Sequence, residues 1–328
     1  VFTRNCTEAL NLVAHAWARP RLRPGDRVVT TLLEHHSNFL PWQQAAAATG
    51  AELAMLPLTA ELTIDHARLD EVIDARTRVV AVTGMSNVLG AAVDLDPIVR
   101  AAHGVGAVVV VDASQLAMHG PLDAGSLGLD FVALSGHKLL GPSGVGALCA
   151  RPELLEQMEP LYSGGEMVLD VGPDHVPVWN EIPYRFEAGT PMIAEAVGLG
   201  AALDYLEALG AGWIRRRDRE LFERGLELLR GVEGLVLYGG TGPAGRAPTF
   251  AFNLLDDRGQ LVHPHDVGTI VADQGVAIRV GHHCARPLMR HLGVPATCRA
   301  SAYVYNTEQE LERLADALRR ARSLFCRG

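Results

Sequence analysis

Long apolar runs are absent from the sequence, which argues against a membrane-spanning helix. A typical run, residues 107–111, stops at Asp112, whereas a spanning helix needs about 20 predominantly apolar residues. Positive charge is also scarce: 29 Lys and Arg residues against 38 Asp and Glu residues give a formal net charge of −9, which disfavours binding to the phosphate backbone of nucleic acids. With 48% hydrophobic residues among 328, the chain can bury one large or two medium cores. We therefore expect a soluble protein without nucleic-acid or membrane partners.

Cysteine is sparse as well. The five cysteines are scattered along the chain, unlike the dense spacing of a secreted disulfide scaffold. No charged segment followed by a short apolar segment opens the sequence, so nothing predicts export, and we expect a cytoplasmic protein. An initiator Met is missing: the chain begins at Val1 and runs directly into a helical pattern. We therefore expect an N-terminal segment to be absent from this chain.

Apolar β-branched runs alternate with amphipathic stretches between residues 27 and 149. This alternation predicts an α/β fold with a mostly parallel sheet flanked by helices. The almost continuous apolar run at 108–111 indicates a strand buried on both faces. The predicted strands are 27–31, 53–56, 78–83, 107–111, 131–134 and 146–149. The predicted helices between them are 40–48, 66–73 and 96–103.

The sequence pattern changes after residue 149. Residues 163–165 and 171–183 are typical of long loops, and a helical stretch at 197–229 is interrupted near 210–212. The remainder predicts two strands, a helix, a strand and a helix, at 235–238, 249–254, 265–273, 277–280 and 307–325. We expect a large domain over residues 1–212 and a smaller C-terminal α+β domain over residues 213–328.

Two polar residues follow predicted strands of the large domain. Asp112 comes at the carboxyl end of a buried strand, where open α/β sheets bind their ligands, and Lys138 follows the strand at 131–134 after a Ser-Gly-His sequence. Pyridoxal phosphate requires such a pair, because an Asp keeps its ring nitrogen protonated and a Lys forms the Schiff base. Taken singly, the two residues could equally be a capping Asp and a surface Lys. Together they favour the cofactor.

A cysteine lies in a turn rich in His and Arg at 279–287. Neighbouring cationic groups can lower the pKa of the Cys284 thiol and make it a nucleophile. The alternatives are an inert cysteine and a zinc site that also uses His282 and His283. Adjacent residues in a tight turn rarely chelate one tetrahedral metal, so we predict no metal site. Arg299 can bind a substrate carboxylate through two hydrogen bonds, with an ordinary surface arginine as the alternative.

Several motifs agree in order and spacing with one family. Among them are Glu-His-His-Ser-Asn at 34–38, Ser-Gly-His-Lys at 135–138 and Gly-His-His-Cys at 281–284, together with segments at 7–14, 41–43, 86–90, 141–142 and 185–191. The chain resembles the Suf-type (group II) cysteine desulfurases. These are pyridoxal phosphate enzymes of the class V aminotransferase group with fold type I, so the resemblance implies that fold, cofactor and activity.

The resemblance implies roles for individual residues around the cofactor. Lys138 resembles the lysine that forms the Schiff base and moves the substrate proton, and Asp112 the partner of the ring nitrogen. His35 resembles the imidazole that stacks on the ring and assists proton transfer. The other implied cofactor-binding residues are Cys6, Thr7, Asn87, Gln115, Ser135, His137 and Thr190. Thr190 is implied to reach the phosphate bound by the second subunit of a homodimer.

On the substrate side, the resemblance implies that Arg299, Arg279 and Asn87 bind L-cysteine. The Cys284 thiolate would attack the substrate sulfur, leaving a persulfide on the enzyme and releasing L-alanine. The sulfur would supply iron–sulfur cluster assembly or a related pathway through an acceptor protein of the SufU or SufE type. His265 resembles a residue that contacts such an acceptor, although residues 263–266 also suit a plain helix start.

Some positions depart from the family pattern. Residues 4–8 read Arg-Asn-Cys-Thr-Glu where Arg-Gly-Thr-Thr-Glu is usual, and Met192 stands where Asn is usual. From the resemblance we also expect the family's N-terminal arm to be absent from this chain. Three competing functions therefore stay open: a carbon–sulfur lyase, which needs no nucleophilic Cys284, a selenocysteine lyase, and a non-catalytic scaffold that retains the fold.

Overall fold

The computed structural model describes residues 1–240, 242 and 245–326. These residues form two compact units. The first unit consists of Val1–Pro57, Asp65–Gly84 and Asp94–Gly210, and the second of Leu58–Ile64, Met85–Val93 and the chain from Ala211 onward. None of the described helices is long and apolar enough to span a bilayer.

A seven-stranded sheet forms the centre of the first unit. Its strands are β1 (Phe2–Thr3), β2 (Arg27–Thr30), β3 (Glu52–Met55), β4 (Thr77–Thr83), β5 (Val108–Asp112), β6 (Phe131–Ser135) and β7 (Gly146–Ala150). Their order is β1-β7-β6-β5-β4-β2-β3. Strands β2 to β6 pair in parallel, whereas β7 pairs antiparallel with β6 and β1. The mostly parallel α/β fold is confirmed, and all six predicted strands are present to within one residue at each end.

Helices and turns of the first unit pack around this sheet. They are α1 (Cys6–Leu12), which continues through a π-helical segment (Val13–Ala18) into α2 (Arg19–Arg21), and α3 (Leu40–Thr49), α4 (Asp96–Gly104), α5 (Pro152–Glu156) and α6 (Ile193–Leu209). The predicted helices at 40–48 and 96–103 are confirmed. Helix α3 ends at Gly50, whose φ of +74° is the left-handed cap that glycine adopts without strain.

The carboxyl ends of β2, β4, β5 and β6 meet at one edge of the sheet, because these strands are parallel. Their last residues are all polar and all buried: Thr30, Thr83, Asp112 and Ser135. The valines that precede Asp112 in β5 are covered on both faces, so burial of the strands holds these polar ends in place.

Two predictions for the first unit are wrong. Residues 66–73 form a 3-10 segment (His66–Glu71) rather than an α-helix, because Arg68 has non-helical backbone angles. The predicted loop at 171–183 contains part of a hairpin, β8 (Val168–Val171) with β9 (Pro177–Trp179). Pro177 starts β9 on a two-stranded ribbon, where its missing N–H is tolerated.

The second unit contains a five-stranded antiparallel sheet. Its strands are β10 (Leu235–Tyr238), β11 (Thr249–Leu255), β12 (Leu261–Val262), β13 (Arg279–Gly281) and β14 (Thr297–Ser301), in the order β10-β11-β14-β13 with β12 beside β11. Its helices are α7 (Ala211–Arg230), α8 (Pro264–Asp273), α9 (Arg286–His291) and α10 (Glu308–Phe325). Phe222 of α7 stacks on Phe250 of β11, with ring centroids 5.5 Å apart, inside the core of this unit.

Most predicted elements of the second unit are present, but the predicted order omits β12, β14 and α9, and the strand expected at 277–280 begins at Arg279. Strand β14 escapes prediction because its five residues mix Thr, Cys, Arg and Ser, and only the neighbouring β11 and β13 make it a strand. The start of α10 follows the sequence closely: Thr307 and Glu310 form a capping box.

Candidate active site

The first cluster of predicted site residues lies at the carboxyl ends of β5 and β6. Asp112 is the last residue of β5, and only 5% of its surface is exposed. Lys138 ends a 3-10 turn, Gly136–Lys138, that directly follows β6. The turn packs closely on the chain before β7, since a Cβ atom at Gly136 would lie 2.9 Å from the Val145 side chain. The topology therefore presents the carboxylate and the amine at the same sheet edge.

The charge of Lys138 acts on two other predicted cofactor residues. Burial lowers the pKa of His137, and the Lys138 ammonium lowers it further. Burial and the Asp112 carboxylate raise the pKa of the Cys6 thiol well above its ordinary value, while a hydrogen bond with the Ser114 side chain and, more weakly, the Lys138 charge oppose this rise. Lys138, Asp112 and Cys6 therefore share one electrostatic environment.

Hydrogen bonds fix the Asp112 carboxylate. Its Oδ1 accepts from the Ser114 backbone N–H, with an N···O distance of 2.9 Å, and from the Cys6 thiol, with an S···O distance of 3.3 Å. The Cys6 backbone N–H donates to Ser135 Oγ at 2.9 Å. The start of α1 is thus tied to the ends of both β5 and β6.

His35, Ser37 and Thr7 form a hydrogen-bonded group in the same unit. The Ser37 backbone N–H donates to His35 Nδ1 at 3.1 Å. Ser37 Oγ lies 3.0 Å from the same nitrogen and 2.7 Å from Thr7 Oγ1. Because Nδ1 accepts a backbone N–H, neutral His35 carries its proton on Nε2. Ser37 therefore connects two residues that the family resemblance implicates.

A buried carboxyl group, Glu34, immediately precedes His35. It is 1% exposed and accepts hydrogen bonds from the Thr31 hydroxyl at 2.7 Å, the Asn38 amide at 2.6 Å and the Thr83 backbone N–H at 3.0 Å. Burial raises the pKa of Glu34 to about 8, with a smaller contribution from the Asp112 charge, while the three donors act in the opposite direction. Glu34 anchors the segment that carries His35 to the ends of β2 and β4.

The chemistry of the first cluster fits pyridoxal phosphate. Asp112 supplies a buried acceptor for a protonated ring nitrogen, and Lys138 supplies the amine for a Schiff base. Two hydrogen bonds to Asp112, from the Ser114 backbone N–H and the Cys6 thiol, end on the same oxygen, Oδ1. Donors for a phosphate group are present in the side chains of Thr7, Ser135 and His137.

Two further predicted residues of the first unit keep their roles as predictions. Gln115 is half-buried and precedes a 3-10 turn, Leu116–His119. Thr190 is exposed and lines a cavity of about 390 Å³. Arg4 also lines this cavity, where it forms an ion pair with Glu8, with 2.8 Å between Arg4 Nη2 and Glu8 Oε1.

Cys284 lies in the second unit, on the loop between β13 and α9, with its thiol half-buried. His283 and Cys284 both adopt left-handed backbone conformations, with φ of +50° and +53°, which cost about 1–3 kcal/mol each for residues other than glycine. The Asn87 amide donates to the His283 carbonyl oxygen at 2.8 Å, and the Cys284 backbone N–H donates to His282 Nδ1 at 3.1 Å. These bonds hold the thiol on a strained loop.

Arg299 connects to this loop through Asn87. Its Nη1 donates to the Asn87 carbonyl oxygen at 2.7 Å, and Arg279 lies directly opposite in the β13–β14 pair. Burial lowers the pKa of Arg299, the Arg279 charge lowers it further, and Cys284 acts in the opposite direction. Within the part of the chain that the structure describes, buried Arg299 Nε has no hydrogen-bond partner. This environment favours an anionic ligand such as a carboxylate.

His283 makes the second unit sensitive to acid. His283 is 7% exposed, and its Nε2 lies 3.0 Å from both the carbonyl and the hydroxyl oxygen of Thr297. Burial, and then the Arg299 charge, lower the pKa of His283 to about 4, against about 6.5 in an unfolded chain. The unfolded state therefore binds more protons between these two values, so stability is lost as the pH falls from about 6.5 to 4.

We predict that His283→Gln removes this loss of folding stability at acidic pH. Urea unfolding at pH 7 and pH 5 should show that the wild type loses about 2 kcal/mol more unfolding free energy than the variant does over this range. His291→Gln, at the exposed end of α9, is the matched control and should behave like the wild type. Equal losses in the wild type and His283→Gln would contradict the prediction.

His265 is exposed at the start of α8, where its ring stacks on His263 with centroids 5.5 Å apart. The His265 backbone N–H donates to His263 Nδ1 at 3.3 Å, so the helix start expected at 263–266 is confirmed. Contact of His265 with an acceptor protein stays a prediction. In the described ranges, no group of three His, Cys, Asp or Glu side chains could hold a metal ion.

Three supporting residues were not foreseen from the sequence: Glu34, Ser37 and His283. All three lie in the motif segments at 34–38 and 281–284, but no local pattern shows which partners they contact in the fold.

The sequence contains one further indication of the site. Lys138 is the only lysine among the 328 residues, so it is the only lysine side chain that can form a Schiff base.

Comparison with known proteins identifies the family to which the chain belongs. The sequence matches the family model described as aminotransferase class-V over residues 1–314. A cysteine desulfurase from Pectobacterium carotovorum is 46% identical over 325 residues, which cover 99% of this chain and 78% of the relative. One from Klebsiella pneumoniae is 45% identical with the same coverage. The solved structure of the cysteine desulfurase CsdA from Escherichia coli matches with a TM-score of 0.93 at 40% identity, covering 99% of this chain and 79% of that chain. The chain therefore belongs to the aminotransferase class-V family and, within it, to the cysteine desulfurases.

Proposed function

We propose that this protein is a pyridoxal phosphate-dependent cysteine desulfurase that converts L-cysteine to L-alanine and keeps the sulfur as a persulfide on Cys284. The observation that carries the proposal is the environment of Cys284. Its thiol lies within electrostatic reach of Arg299, whose half-buried guanidinium is suited to bind the carboxylate of an amino acid. A cysteine placed beside a carboxylate receptor can act on the side chain of the amino acid held there.

The first unit supplies the groups that activate the substrate. When bound, pyridoxal phosphate withdraws electrons from the substrate Cα and so makes the Cα proton acidic. Asp112, buried at the end of β5, would keep the ring nitrogen protonated. Lys138 would hold the cofactor through its amine and would serve as the base that removes the Cα proton.

The second unit supplies the sulfur nucleophile. The Cys284 thiolate forms a bond to the substrate sulfur, and the Cβ–S bond breaks. The electron pair of that bond stays on Cβ, which takes up a proton. The balanced sum is L-cysteine plus enzyme thiol giving L-alanine plus enzyme persulfide. No external oxidant or reductant is consumed in this half of the cycle.

Arg299→Lys tests the carboxylate receptor. Lysine keeps the charge but loses the planar pair of donors, so we expect the KM for L-cysteine to rise about 10-fold, with kcat changed much less. Steady-state kinetics of alanine formation measure both constants. Arg290→Lys, at the exposed end of α9, is the control and should leave KM unchanged. An unchanged KM in Arg299→Lys would remove Arg299 from substrate binding.

Product analysis separates the proposed activity from its competitors. Incubation with L-cysteine and a thiol reductant should release alanine and sulfide in equal amounts. Pyruvate and ammonia in place of alanine would identify a carbon–sulfur lyase. Absence of both product sets, with no visible absorbance from bound cofactor, would identify a scaffold that retains the fold. Parallel assays with L-selenocysteine establish which substrate is preferred.

Assembly and partners are further parts of the proposal. Thr190 lines a surface cavity next to Pro191 and Met192, as suits a residue that completes the phosphate site of a second subunit. We therefore propose a homodimer with shared sites, and a SufU- or SufE-like protein as the acceptor that carries the sulfur towards iron–sulfur cluster assembly.

A further inference from the structure

We propose that Cys6 is a positioning residue for the cofactor: its buried thiol donates a hydrogen bond to Asp112 and so fixes the carboxylate that binds the ring nitrogen. The catalytic role of Cys6 rests on the proposed function. The contact between Cys6 and Asp112 can be tested without measuring catalysis. The role is more specific than the cofactor contact that the family resemblance implies for Cys6.

The distances place the thiol on the carboxylate. Cys6 Sγ lies 3.3 Å from Asp112 Oδ1, within the range of a sulfur hydrogen bond. Cys6 is 3% exposed and Asp112 5%, so water cannot readily replace either partner. The Ser114 backbone N–H donates to the same oxygen. Two donors on Oδ1 restrict rotation of the carboxylate.

The backbone around Cys6 holds the thiol in this place. The Cys6 backbone N–H donates to Ser135 Oγ at 2.9 Å. Asn5, the residue before it, lies against β7 so closely that a Cβ atom at Gly146 would come within 2.7 Å of the Asn5 Cα. The Asn5 side chain also caps α1 by accepting from the Glu8 backbone N–H at 3.0 Å. Cys6 therefore has little freedom to turn away from Asp112.

The protonation of the thiol makes it a donor rather than a nucleophile. The charged groups that act on it are Asp112 and, more weakly, Lys138, and burial together with Asp112 raises the pKa of Cys6 well above the neutral range. The thiol thus stays protonated beside a carboxylate. A thiol is a weaker donor than a hydroxyl, so it orients Asp112 while withdrawing little charge from the carboxylate.

Cofactor affinity gives the first test, on the full chain. We expect Cys6→Ala to raise the dissociation constant of pyridoxal phosphate about 5-fold, measured by titrating the apoprotein and following visible absorbance. Cys6→Ser keeps a donor and should stay within about 2-fold of the wild type. Cys298→Ala is the matched control, because Cys298 is equally buried and its thiol points to the Pro264 carbonyl oxygen instead. It should bind the cofactor as the wild type does.

Infrared spectroscopy of the apoprotein gives the second test. The S–H stretching band of Cys6, identified by its loss in Cys6→Ala, should shift to higher frequency in Asp112→Asn, because the amide is a weaker acceptor than the carboxylate. A band at the same frequency in both proteins would overturn the inference, as would a cofactor affinity in Cys6→Ala equal to that of the wild type. A protein that makes pyruvate instead of alanine would overturn the proposed function and leave the Cys6–Asp112 bond untouched.

Discussion

Replacing Lys138 by alanine is expected to lower the rate of alanine formation from L-cysteine by at least about 10³-fold. The reason is that, in the proposed mechanism, the Lys138 amine both anchors the cofactor and acts as the base that moves the Cα proton. No other lysine is present in the sequence to take over either task. Assays of alanine release by the wild type and Lys138→Ala, both supplied with saturating pyridoxal phosphate, measure the loss.

The single lysine also makes the anchoring point easy to verify. Borohydride reduction of the wild type should attach the cofactor to the peptide that contains Lys138, and the same treatment of Lys138→Ala should leave that peptide unlabelled. Lys138→Arg is the control for charge: it keeps a cation near Cys6 and His137 but cannot form the Schiff base, so it should be as inactive as the alanine variant. Substantial activity in either variant would contradict the assignment of Lys138.

Replacing Cys284 by serine is expected to reduce desulfuration by at least about 10³-fold, because the hydroxyl cannot hold the sulfur as a persulfide. Cofactor absorbance should be unchanged, since Asp112 and Lys138, which are proposed to hold the cofactor, belong to the first unit and Cys284 belongs to the second. Sulfide and alanine release report activity, and the visible spectrum reports cofactor binding.

The matched control for Cys284→Ser is Cys149→Ser, an exposed cysteine on β7 that has no part in the proposed reaction. It should retain wild-type activity. If Cys284→Ser still released alanine at the wild-type rate, sulfur transfer through this thiol would be excluded. If it lost cofactor absorbance as well as activity, the loss of desulfuration would reflect failure to bind the cofactor rather than loss of a nucleophile.

The parallel sheet is the part of the fold that sequence patterns predict well. Strands such as β5 are buried on both faces and therefore appear as continuous apolar runs. Strand β14 and the β8–β9 hairpin are not predicted, because their residues are polar or proline-flanked and pairing with neighbours decides their structure. Tertiary context overrides local preference in such short segments.

The site residues, like the strands, include some that the sequence predicts directly and others that it does not. Asp112 and Lys138 follow from their positions after predicted strands, whereas His35 and Thr7 are identified only through the family resemblance. Local sequence patterns cannot predict contacts between distant positions. Cys6 and Asp112 are 106 positions apart, and Glu34 and Thr83 are 49 positions apart. These contacts require the sheet to bring the chain segments together.

The central claim is that one sulfur atom passes from L-cysteine to Cys284. The most direct measurement is mass spectrometry of the holoenzyme after a single turnover with limiting L-cysteine in the absence of reductant. The account predicts one extra sulfur on the peptide that contains Cys284 for each molecule of alanine formed. Alanine or pyruvate formed while that peptide keeps its original mass would contradict it.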